Sequence, residues 1–67
     1  MLSARNQFKG KVKAVKLGGI MAEVIVSVGG LEIVSAITRG SAEQMGLKTG
    51  DEVTTIIKST EVLIAKD

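Results

Sequence analysis

The sequence predicts an all-β domain: a five-stranded barrel with one short helix between the third and fourth strands. Three observations carry this. The apolar share is 45% and is supplied mainly by Val, Ile, Leu and Ala. Apolar and polar residues alternate with a period of two over most of the chain. Paired glycines interrupt that alternation at hairpin spacing. The 67 residues are expected to form one domain, 1–67. A chain of this size hides only about 60% of its unfolded surface, so its core is thin.

The first strand is expected over 8–15, with Lys9, Lys11 and Lys13 on one face and Gly10, Val12 and Ala14 on the other. Gly18-Gly19 suits a hairpin turn with positive φ. The second strand, 21–28, sets Ala22, Val24, Val26 and Val28 on one side, and Gly29-Gly30 repeats the turn signal. The third strand is expected over 31–38. The next segment changes pattern, because Ser41 followed by Gln44 three residues later is a capping box. Glu43 would lie in the first helical turn, and Gly46 suits a left-handed helix end with Leu47 beyond it. A turn over 48–51 leads to the last two strands, 52–58 and 61–65. Three strands, a helical plug and two more strands is the order of an OB-type barrel, whose closure removes free sheet edges.

Both faces of these strands are apolar. With Val24 and Val26 inward, Met21 and Ile25 point out; Ile33 and Ile37 share one face of the third strand, and Val34 and Ala36 the other. A monomer this small cannot bury both. The chain has no Cys and no His, which removes disulfides and zinc fingers as reinforcement. Association of copies is the expected remedy.

Composition also narrows function. The net charge is +2 and Phe8 is the only aromatic residue, so the cationic face and stacking platform of a nucleic-acid binder are missing. No run approaches the ~20 apolar residues of a membrane span. Residues 1–8 have no apolar core that would serve as a secretory signal, and a cytoplasmic protein is expected. Imidazole is absent, and the carboxylates are scattered without acid/base spacing or a metal-binding cluster. The chain therefore reads as a non-enzyme with no direct metal ligands.

What it does offer is donors. Ser3, Arg5, Asn6 and Gln7 precede the first strand; Lys58 and Ser59 sit at the junction of the last two. Thr38, Arg39, Gly40 and Ser41 enter the helix, where free backbone N–H groups favour an anion. A tetrahedral, fully deprotonated oxyanion presents only acceptors, so donors without a carboxylate suit it. Each residue also has a plain structural reading: Ser41 as an N-cap, Lys58 as an edge-strand lysine, Arg5 as part of a frayed terminus.

Ser3-Ala4-Arg5-Asn6-Gln7 followed by Phe8-Lys9-Gly10 resembles the S-A-R-N-Q-x-x-G opening of the molbindins, small bacterial molybdate-binding proteins. The Ala36-Ile37-Thr38 strand end, the Ser41 helix start and Ile57-Lys58-Ser59-Thr60 resemble that family too. The resemblance implies an OB-type fold, a hexamer built as a trimer of dimers, and oxyanion sites between subunits. It places Ser3, Arg5, Lys58 and Ser59 on the oxyanion from one chain, and Thr38 and Ser41 from a neighbour. The implied ligand is molybdate, with tungstate as a companion, and the implied role is intracellular molybdenum storage and homeostasis. Arg39-Gly40 before Ser41 departs from the family pattern by adding a positive charge. The alternatives are an OB-fold nucleic-acid-binding module and a purely structural oligomerisation module.

Overall fold

The computed structural model describes residues 2–67. The chain is mostly β, with four strands and one helix: β1 (Asn6–Leu17), β2 (Met21–Val28), β3 (Leu31–Thr38), α1 (Arg39–Met45) and β4 (Glu52–Ile57), followed by a 3-10 turn, Ser59–Glu61. The strands form one antiparallel sheet in the order β3-β2-β1-β4. β1 is the spine. Its first half pairs with β4, from Asn6 opposite Ile57 to Lys11 opposite Glu52; its second half pairs with β2, from Lys11 opposite Ser27 to Leu17 opposite Ala22.

Strict alternation would leave Val15 beside the lysines. A bulge between Val12 and Ala14 shifts the register by one, which turns Val15 back toward the interior. The core is Val12, Val24 and Val26, with Val15, Val28, Ile37, Leu47 and Val53 packed against it. Ala22 and Ala42 are the other buried apolar residues. Gly10 is required where β1 crosses β2, because a Cβ there would lie 2.4 Å from the Ser27 carbonyl oxygen.

β2 and β3 form over their expected residues. The Gly29-Gly30 turn has its positive φ at Gly29, 58°. Gly18 and Gly19 do not adopt positive φ. Their loop is closed instead by the Gly18 N–H donating to the Met21 carbonyl at 2.7 Å. The helix begins earlier than expected. Thr38, extended at φ −70° and ψ 147°, is the N-cap, and no acidic residue lies in the first turn. Ser41 therefore falls inside the helix and is not its cap. Gly46, at φ 62°, ends the helix as expected. Its N–H donates to the Glu43 carbonyl and that of Leu47 to the Ala42 carbonyl, the Schellman pairing.

The closed five-stranded barrel is not formed within one chain. Residues 61–65, the expected fifth strand, start in the 3-10 turn and then run without a pairing partner. Alternation makes a segment suitable for a strand, but only an edge to bond with makes it one. Here Leu63 and Ile64 are 92% and 89% exposed. β3 and β4 remain the two open edges, with an apolar groove of about 400 Å³ lined from both strands and from the interior. Among the described residues no helix is long and apolar enough to cross a membrane.

Candidate oxyanion-binding site

The Asn6–Ile57 pair ends the β1–β4 ladder. Because the strands are antiparallel, the chain before Asn6 and the chain after Ile57 leave it side by side. Ser3, Lys58 and Ser59 consequently line one cavity of about 530 Å³, together with Leu2, Ala4, Ile56 and Thr60. No carboxylate is among these residues. Arg5 occupies an exposed bend between this cavity and β1 and is not itself part of the lining. Thr60 adds a hydroxyl that the sequence reading did not select; its position next to Ser59 was the available signal.

The side chains of Ser3, Arg5, Lys58 and Ser59 make no hydrogen bond or ion pair among the described residues. Among the described residues, the ion pairs are Lys13–Glu32, Lys16–Glu23 and Arg39–Glu43, none of which engages Arg5 or Lys58. Those three pairs are solvent-exposed and contribute little, about 0–1 kcal/mol each. The side chains that do bond nearby are the two carboxamides. Asn6 Nδ2 donates to the Ile57 carbonyl at 3.2 Å, and Gln7 Nε2 donates to the Ala4 carbonyl at 2.7 Å.

Thr38 and Ser41 are elsewhere. Thr38 pairs with Met21, beside the β1–β2 loop, at the opposite end of the spine from Asn6. The eleven steps from Asn6 to Leu17, at about 3.3 Å each, span roughly 36 Å, comparable to the longest molecular dimension, 36 Å. Donors to a single anion must all approach it to about 3 Å. One chain therefore cannot bring both groups to one oxyanion. At this far end Thr38 Oγ1 accepts from the Ser41 N–H at 3.1 Å and donates to Ser41 Oγ at 2.8 Å. Arg39, the extra charge, ties the helix to the loop: Nη1 donates to the Gly18 carbonyl at 3.1 Å and Nε lies 3.5 Å from Glu43.

The sequence and the fold are similar to those of known proteins. The TOBE domain profile matches residues 2–64, and a molybdenum-pterin-binding protein of Clostridium pasteurianum is 52% identical over 64 residues, 94% of each chain. The chain belongs to the molbindin family of TOBE domains. Two solved molbindin structures agree with that placement. MopII from Clostridium pasteurianum superposes with a TM-score of 0.93 at 46% identity, covering 98% of this chain and all of that one. A molybdate-binding protein from Sporomusa ovata gives 0.94 at 36% identity, covering 98% of both.

Among the described residues there is no cluster of three or more carboxylates able to hold a metal ion. The cavity lining carries hydroxyls and an ammonium group and no carboxylate, a set of donors suited to an anion.

Proposed function

We propose that this chain binds molybdate as an intact oxyanion, along with tungstate, which has the same charge and nearly the same size. The observation that carries this reading is the cavity that joins Ser3 to Lys58 and Ser59 with donors unspent and no carboxylate in its lining. Arg5 and Lys58 neutralise the dianion, and Ser3 and Ser59 orient it through hydroxyl donors. Thr38 and Ser41 of a neighbouring copy complete the shell, since they lie at the wrong end of their own chain. The anion is taken up and released without bond making, so the role is molybdenum storage and homeostasis in the cytoplasm, not catalysis. The descriptions of the relatives, molybdenum-pterin-binding and molybdate-binding, support the ligand class.

The assembled form is a hexamer, a trimer of dimers. In it, residues 61–65 of a neighbouring copy lie between β3 and β4 and close the barrel as a fifth strand. The apolar groove, two open edges and an exposed apolar tail support this. Burying Leu63 and Ile64 there stabilises the assembly by about 1.5–3 kcal/mol apiece. Leu63→Asp should shift the species in light scattering toward smaller mass; an unchanged mass removes the tail from the interface.

Calorimetric titration of molybdate, sulfate and phosphate, on protein of measured solution mass, tests the function. Molybdate should bind saturably and raise the melting temperature by mass action. Protonated phosphate should bind more weakly, because the lining offers no carboxylate to accept from its P–OH. Absence of molybdate heat on the assembled protein overturns the proposal.

A further inference from the structure

We infer that Asn6 and Gln7 are positioning residues of the oxyanion site, holding the two chain segments that bear its donors without touching the anion themselves. This rests on the site proposed above. Ala4, the carbonyl that Gln7 grips, stands between Ser3 and Arg5; Ile57, the carbonyl that Asn6 grips, directly precedes Lys58. Each carboxamide thus anchors the backbone beside one half of the donor set.

The segment from Leu2 to Ala4 has no strand pairing, and the bond from Gln7 ties its last carbonyl to the start of β1. Without that bond Ser3 and Arg5 belong to a free arm, and binding must bear the cost of ordering them. Asn6 acts on the other segment. Its own strand partner is Ile57, and the side-chain bond fastens the last ladder position before the chain turns at Ser59–Glu61.

The chemistry explains why both positions carry amides. A carbonyl oxygen needs a donor, and a carboxamide supplies N–H groups without charge. Asp or Glu at either position would offer acceptors to a carbonyl and place a negative charge beside a site for an anion. Lys or Arg would supply donors but add cations that compete for the same ligand. A neutral donor is the side chain that can hold the frame while leaving the charge balance to Arg5 and Lys58.

The experiment is molybdate calorimetry on the assembled protein, comparing wild type, Gln7→Met, Gln7→Glu and Asn6→Asp, each also in the Ser3→Ala background. Melting temperature and solution mass are recorded without ligand. Gln7→Met should weaken binding about 5- to 10-fold with unligated stability and mass unchanged. Gln7→Glu should weaken it further, and Asn6→Asp should weaken it too, with wild-type affinity in Asn6→Asp overturning the role of Asn6. In the Ser3→Ala background the effect of Gln7→Met should shrink, because one of the two donors that the Gln7 bond orders is already gone. Equal affinity of Gln7→Met and wild type overturns the inference while leaving the site intact. The same loss in both backgrounds also overturns it, since it marks independent action. Wild-type protein that takes up no molybdate overturns the parent proposal, and this inference with it.

Discussion

The two ends of β1 carry the same kinds of side chain and use them differently. At the Asn6 end, Ser3, Lys58 and Ser59 face a cavity with their polar atoms unspent, and the framework is held by two carboxamides that are not themselves in the lining. At the Leu17 end, Thr38 and Ser41 are bonded to each other, and one of those bonds caps the helix. The near end separates holding from binding. Under the proposed function, the far end asks the same hydroxyls to do both. A substitution at the near end should therefore change affinity alone, whereas one at the far end should change affinity and stability together.

Lys58→Ala is the largest test. It removes a charge-assisted donor, so molybdate affinity should fall about 10- to 100-fold. The unligated melting temperature should stay put, because Lys58 is exposed and unpaired among the described residues. A fall in that temperature would erase the distinction between the ends. Thr38→Ala comes next. Loss of the cap should cost about 1 kcal/mol, or roughly 4–8 °C for a domain of this size, with weakened binding alongside. Thr38→Ser keeps an oxygen in place and should restore most of both. Ser59→Ala is the smallest, an affinity loss of about 3- to 10-fold with no stability change. A destabilised Ser59→Ala protein would show that the 3-10 turn depends on that hydroxyl.

Much of the fold was legible because it depends on local pattern. β2 and β3 follow directly from alternation between paired glycines, and the Gly46 helix end from the special conformation a glycine permits. The misses arise where a partner decides the outcome. β1 reaches back to Asn6 because β4 offers it an edge, which polar Asn6 and Gln7 do not announce. Residues 61–65 alternate well but find no edge in their own chain. Thr38 and Ser41 both have the chemistry of a cap, and the choice fell to Thr38 because the β3 ladder ends there with extended backbone. Of the candidate site, the family resemblance implies a grouping of Ser3, Arg5, Lys58 and Ser59, and the structure brings Ser3, Lys58 and Ser59 to one cavity with Arg5 outside its lining. Its basis, the antiparallel exit of two segments from one ladder, belongs to topology. The roles of the Asn6 and Gln7 side chains were not readable from the sequence, since each is set by the carbonyl that the fold presents.

Gly10 has a reach beyond its own position. It is the point at which the spine crosses β2 with no room for a side chain, and it lies between the near-end cavity and the bulge that redirects the strand. Any residue with a Cβ would wedge the two strands apart and swing one arm of β1 relative to the other. In the proposed assembly, where a site is shared between copies, the angle between the arms sets how one subunit's donors meet those of its neighbour, and a single methyl group in the middle of the strand would misalign pockets it never touches.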